Sequence, residues 1–195
     1  MVKKVFLLLF LSSLVTACGQ NSSHAVAFST PETYRLKPGE LILAASEDDI
    51  PPIMAEEDIF VPAEKADLDD LEIVIGLFIG GKTRAYPVRL LSLHEVINDR
   101  VGKQAIAVTW CPLCYTAIVY NRVVDGNELT FGASGYLLHN NLVLIDHQTE
   151  TLWSQLLGQG IKGAYSKERL ENYTLHTDHL ADLERSLSRN TGAFA

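Results

Sequence analysis

The chain has 195 residues, enough for one domain with an appendage. It carries 16 Lys and Arg against 24 Asp and Glu, a formal net charge of -8, which argues against nucleic acid as a partner because phosphate binding needs a basic surface. Its 3 cysteines, Cys18, Cys111 and Cys114, are too few for a disulfide-stapled scaffold or a four-thiolate zinc site.

Lys3 and Lys4 precede an apolar run over residues 5–15. That run is shorter than the ~20 residues that cross a bilayer, and its length and flanks suit a secretory signal segment. It leads into Val15-Thr16-Ala17-Cys18-Gly19, which resembles a bacterial lipobox. On this reading residues 1–17 are a signal peptide and Cys18 becomes the lipidated N-terminus. More than one acyl chain gives stable membrane anchoring. The expected location is the cell envelope, and the membrane is the expected partner. Gly19 in place of Asp after the cysteine favours the outer membrane, facing the periplasm, in a Gram-negative host.

Residues 18–45 start rich in Ser and Asn, with Thr and Pro following, and have no sustained period, so they read as a flexible tether. The globular domain is expected over 46–195. Its first part, 46–70, is acidic and broken by Pro51-Pro52 and Pro62, a loop with one short helix near 64–71. The acids there read as solvated surface. Residues 73–79 are apolar and β-branched, Gly80-Gly81 signals a hairpin, and 83–88 returns as a strand. Arg84 and Arg89 near this hairpin read as surface cations able to meet an anion. Leu90, His94 and Ile97 fall on one face of a helix over 90–98, which would turn His94 inward. Strands follow over 105–110, 116–124 and 128–131. Gly132-Ala133-Ser134-Gly135 reads as a bend, and Tyr136 stands where a nucleophile elbow would need glycine. A further strand pair, 141–145 and 151–155, flanks a tight turn in which Asp146 accepts backbone N–H bonds. Thr177 is a suitable N-cap for a closing helix over 178–188. The pattern predicts a β-rich α+β single domain, a curled sheet or open barrel of short strands with two or three helices.

With Cys18 assigned to lipid, one pair remains, Cys111-Pro112-Leu113-Cys114, between two strand-like runs. A thioredoxin-type pair opens a helix; a pair in a turn between strands is similar to the metal knuckle of rubredoxins and zinc ribbons. The further ligands such a site needs are histidines or carboxylates. His94 is the first candidate and His139 a weaker one, followed by Asp146 and His147. Two thiolates and an imidazole suit one Zn or Cu ion. Glu95, beside His94, is a possible supporting or acid/base group, although helix geometry aims it away from the face of His94. Two other readings stay open: a reversible dithiol/disulfide, which an envelope location permits, and a non-catalytic ligand-binding or assembly module. No nucleotide cofactor is expected.

Taken in order, Ala85-Tyr86-Pro87, Leu93-His94-Glu95-Val96-Ile97-Asn98-Asp99, Val108-Thr109-Trp110-Cys111-Pro112-Leu113-Cys114, Phe131-Gly132-Ala133-Ser134-Gly135 and the run Asp146-His147-Gln148-Thr149-Glu150-Thr151-Leu152-Trp153-Ser154-Gln155 resemble the bacterial domain-of-unknown-function 3179 family. The likeness extends over roughly residues 50–192. It implies no activity. It matches His94, Glu95, Asn98 and Asp99, and Cys111 with Cys114, to the family pattern. Tyr115 departs from the glycine that commonly follows the second cysteine, and His139 stands where members commonly have a polar non-histidine residue.

Overall fold

In the computed structural model, which describes residues 33–55, 59–62 and 65–179, apolar β-branched runs between tight turns become short strands. In chain order these are β1 (Leu41–Leu43), β2 (Ile53–Met54), β3 (Ile73–Ile79) and β4 (Lys82–Pro87), then helix α1 (Val88–His94). There follow β5 (Val96–Val101), β6 (Gln104–Cys111), β7 (Thr116–Asn121), β8 (Val123–Val124), β9 (Asn127–Glu128) and β10 (Phe131–Leu138). The last are β11 (Asn141–Asp146), β12 (Leu152–Ser154), β13 (Gln159–Lys162), β14 (Asn172–Tyr173) and β15 (Leu175–His179). Two-residue turns with paired positive φ close three hairpins: Gly80-Gly81 (58° and 79°), Asp125-Gly126 (49° and 78°) and His139-Asn140 (50° and 63°). This geometry matches the twist of the flanking strands. The third turn contains no glycine to announce it.

The strands make two five-stranded sheets, β1-β10-β11-β12-β13 and β14-β7-β6-β5-β2, with a three-stranded sheet β15-β3-β4 and a ribbon β8-β9. No sheet closes on itself among the described residues. The sheet holding β6 is covered on both faces. Ala107, Cys111 and Tyr120 pack on Phe131, Leu142, Leu144 and Trp153 of the other large sheet. Ile106, Val108 and Trp110 pack instead on Ile75, Leu77 and Tyr86 of the small sheet and on Leu91 of α1. The period-2 alternation of β6 thus sorts its side chains into two cores.

Buried polar side chains tie the layers together. Asn98 of β5 donates from Nδ2 to the Phe131 carbonyl at 2.7 Å and accepts the Phe131 N–H at 2.8 Å, bridging the two large sheets. Asp99 accepts the Tyr86 hydroxyl at 2.6 Å and pairs with Arg84 at 3.5 Å. Arg84 is therefore a buried, ion-paired residue whose guanidinium lies 3.6 Å over the Phe60 ring, not a surface cation. Asp146 accepts the Thr149 N–H at 2.7 Å, as its turn requires, and also the Trp153 indole N–H at 2.8 Å.

The β-rich expectation holds, but the helix count does not: α1 is the one α-helix among the described residues. Residues 65–71 form no α-helix. The helix expected over 90–98 lies over Val88–His94 and stops because Glu95 takes φ 57°, after which Val96, Ile97, Asn98 and Asp99 pair with β6. Leu91, not His94, is its buried residue, so the Leu90-His94-Ile97 face does not exist as a helical stripe. Thr177 lies in β15, paired with Ile75, instead of capping a helix; the remainder of that expected helix, 180–188, lies outside the described residues. Gly132-Ala133-Ser134-Gly135 is not a bend between strands but part of β10, with a bulge where Gly135 takes φ 76°. Ser134 gives its hydroxyl hydrogen to the Val143 carbonyl at 2.6 Å. The span expected to be a tether belongs to the domain from Thr33 onward: β1 pairs with β10, and the Tyr34 N–H and carbonyl both bond the Gln159 side chain. The signal peptide, Cys18 and residues 19–32 lie outside the described residues.

Asn98→Ala strips partners from both backbone groups of Phe131 inside the core. It is expected to lower unfolding stability by about 3 kcal/mol, read as a shift of the urea midpoint at unchanged slope.

Candidate functional site

The β6–β7 hairpin turns through Pro112-Leu113-Cys114-Tyr115, with Cys111 opposite Thr116. Pro112 presets the φ of an early turn position. Tyr115 completes the turn at φ 51°, a left-handed conformation costly for a non-glycine residue. The turn separates its two thiols by environment. Cys111 is 1% exposed and lies in the core between the large sheets; Cys114 is exposed. Neither is in a disulfide.

Their surroundings push the two thiols in opposite directions. Burial, foremost, raises the pKa of Cys111, and its hydrogen bond to Cys114 adds to this; backbone N–H groups of Leu142 and Cys114 partly offset both. For Cys114, burial also acts upward, but donors outweigh it. The Cys111 thiol, the Thr116 hydroxyl, the Asn141 amide and the Thr116 backbone N–H together hold Cys114 below the ordinary thiol value. The Cys114 Sγ lies 2.7 Å from Thr116 Oγ1 and 3.1 Å from Asn141 Nδ2.

A buried amide network fixes those donors. Asn141 also donates to Gln155 Oε1 at 2.8 Å, and Gln155 Nε2 reaches Thr109 Oγ1 and the Thr116 carbonyl, both at 3.2 Å. Sequence reasoning missed Asn141, Gln155, Thr109 and Thr116. The available signal was a polar residue opening the apolar run of β11 and a glutamine closing the Trp153-Ser154-Gln155 motif. Both gain meaning only once the sheets are stacked.

The remaining sequence-derived residues are dispersed. His94 ends α1, half-buried, with Nδ1 2.9 Å from the Pro51 carbonyl oxygen. Glu95 caps that helix and accepts the Trp110 N–H through its backbone carbonyl, one residue before Cys111; burial raises its carboxyl pKa. His139 is exposed in the β10–β11 turn, with Nε2 3.8 Å from Glu40 and 3.4 Å from the Tyr34 hydroxyl. Among the described residues, the one set of three ligand-type side chains whose atoms all lie within 4.8 Å is Glu47, Asp48 and His147; Cys111, Cys114 and His94 do not form such a set. His147 Nε2 sits 2.8 Å from Asp48 Oδ2, while Asp48 Oδ1 is buried without a hydrogen-bond partner among the described residues.

Beside the cysteine turn is a cleft of about 320 Å³, walled by Trp110, Pro112 and Tyr115 on one side and by residues of α1 and the start of β3 on the other.

A family model described as "Protein of unknown function (DUF3179)" matches residues 47–190, and the chain belongs to that family. No curated protein and no solved structure matches the chain. The family assignment brings no activity with it, so chemistry must be argued from the dithiol and its setting.

Cys114 is expected to alkylate at least about tenfold faster than Cys111 in the native protein, with a pH midpoint below that of an unperturbed thiol near 8.5. Asn141→Ala removes a donor to the thiolate, so the midpoint should rise and the rate at neutral pH should fall. Iodoacetamide kinetics followed by peptide mass spectrometry read both.

Proposed function

We propose that this is a thiol–disulfide redox protein in which Cys114 attacks and Cys111 resolves. The observation that carries this reading is the division of the pair: an exposed sulfur held by Thr116 and Asn141 beside a buried sulfur. In the reaction, the Cys114 thiolate attacks a substrate disulfide, forming a mixed disulfide and releasing one substrate thiolate. The Cys111 thiol passes its proton to that leaving sulfur and attacks Cys114. A Cys111–Cys114 disulfide forms, and the second substrate thiolate leaves. The pair gives up two electrons and the substrate disulfide gains them. A dithiol partner restores the reduced pair by the same exchange in reverse. Attachment through lipid at Cys18, in an envelope compartment, suits this chemistry because disulfides persist there. Among the described residues no helix is long and apolar enough to cross a membrane.

A second reading, a Zn or Cu ion on Cys111 and Cys114, draws on the knuckle-like turn, in which the Cys114 N–H faces the Cys111 sulfur and Tyr115 is left-handed. His94 fits the third position poorly, since its ring is held by Pro51 and does not gather with the sulfurs.

Titration of the purified protein against redox buffers, with thiol trapping at each point, tests the proposal. The expected outcome is a reversible two-electron transition that disappears in Cys111→Ser, where substrate stays trapped on Cys114. Elemental analysis of the reduced protein is the counter-test. About one equivalent of zinc or copper lost in both Cys111→Ser and Cys114→Ser, with no reversible disulfide, would overturn it in favour of the metal site.

A further inference from the structure

We infer that Glu47, Asp48 and His147 hold one divalent transition-metal ion of the zinc type, at a site that shares no residue with the cysteine pair. The inference is independent of the redox reading. The three ligand atoms all lie within 4.8 Å of one another, and His147 Nε2 is 2.8 Å from Asp48 Oδ2. Two atoms bound to one zinc ion at ~2.0–2.2 Å stand roughly 3.0–3.4 Å apart, so small side-chain shifts close the set on an ion.

An unsatisfied oxygen is the observation that calls for a cation. The contact with His147 employs one oxygen of Asp48. The other, Oδ1, is buried and has no hydrogen-bond partner among the described residues. No Lys or Arg pairs with Glu47 or Asp48 among those residues. A carboxylate oxygen denied both water and a donor is costly. A bare divalent ion is smaller than a water molecule and can meet it where water has no access. The imidazole of His147 neutralises at most one of the two carboxylates, whereas a divalent ion balances both.

The backbone brings two of the ligands together in advance. The Asp48 N–H donates to the Ala133 carbonyl at 3.0 Å, and the His147 N–H to the Thr130 carbonyl at 2.9 Å. Their side chains meet over Gly132, which lies between those two anchors. A Cβ on Gly132 would stand 2.2 Å from Asp48 Oδ1 and 2.8 Å from His147 Nε2. The missing side chain is therefore what admits both ligand atoms to one place. The donor set then selects the ion. One imidazole with two carboxylates suits zinc, whereas Ca²⁺ and Mg²⁺ take oxygen ligands and Cu(I) takes sulfur. Three protein ligands leave a fourth position on a tetrahedral ion for water or a substrate oxygen.

The test titrates the full chain in detergent, under reducing conditions, with Zn²⁺ by calorimetry and with Co²⁺ by absorption spectroscopy. The expected result is one equivalent at this site, whose Co²⁺ form shows d–d bands without a sulfur-to-cobalt charge-transfer band. An ion held by the cysteines would carry that band. Loss of a ligand's outer partner alone costs ~10–100-fold in metal affinity, so Glu47→Gln and His147→Ala should each weaken this site at least about tenfold and leave any sulfur-bound ion in place. Glu47 is exposed, so Glu47→Gln keeps the fold and decides the matter should His147→Ala not fold. Three results overturn the inference: no equivalent free of the sulfur band, an affinity unchanged in Glu47→Gln, or Ca²⁺ or Mg²⁺ bound as tightly as Zn²⁺.

Discussion

The buried amide network of Asn141 and Gln155 is the constraint on which the candidate site depends. Asn141 accepts the Leu156 N–H through Oδ1 and divides its own hydrogens between Gln155 and the Cys114 sulfur. Gln155 passes the connection to Thr109 on β6 and to the Thr116 carbonyl on β7, and Thr109 gives its hydroxyl hydrogen to Ile118. Residues from both large sheets are thus committed to one chain of donors and acceptors that ends on an exposed sulfur. In a low-dielectric interior a satisfied network of this kind is rigid, and any missing member leaves a buried group unpaired. The position of the Cys114 sulfur is therefore set by the packing of two sheets, not by the turn alone.

This explains how the polar residues of the family-like motifs divide. Asn98, Asp99 and Asp146 are each consumed by buried bonds, to the Phe131 backbone, to Tyr86 with Arg84, and to Trp153 with Thr149. They hold layers together and have no surface to offer a substrate. Cys111 belongs to the same interior, packing as a small apolar residue. Among the motif side chains, Cys114 is the one that combines exposure, nucleophilic chemistry and donors aimed at its reactive atom. Burial raises one thiol while donors lower its neighbour, so the end of β6 and the turn that follows it set two thiols of opposite tendency side by side.

Most strands were legible because their physics is local. The alternation of β6 and the Gly80-Gly81 turn need no tertiary knowledge. The failures came where tertiary pairing overrode local spacing. Leu90, His94 and Ile97 satisfy a helical period, yet Val96, Ile97 and Asn98 gain more by pairing with Thr109, Val108 and Ala107, which cuts the helix at His94 and moves its ring to Pro51. The cysteine pair was legible as a turn between strands, but its asymmetry was not. That arises from Asn141 and Leu142, on a strand whose position against the turn no spacing rule supplies. The same holds for His147 and Asp48, brought together across Gly132, where a Cβ would lie 2.2 Å from Asp48 Oδ1.

Tyr115 shows how these constraints meet. At φ 51° a glycine would relieve strain of about 1–2 kcal/mol, and glycine is what the family likeness leads one to expect there. The tyrosine ring instead stands edge-on to Trp110, with centroids 5.5 Å apart, and forms part of the cleft wall. Although 79% of Tyr115 is exposed, the edge contact on Trp110 buries part of the ring and offsets some of that strain.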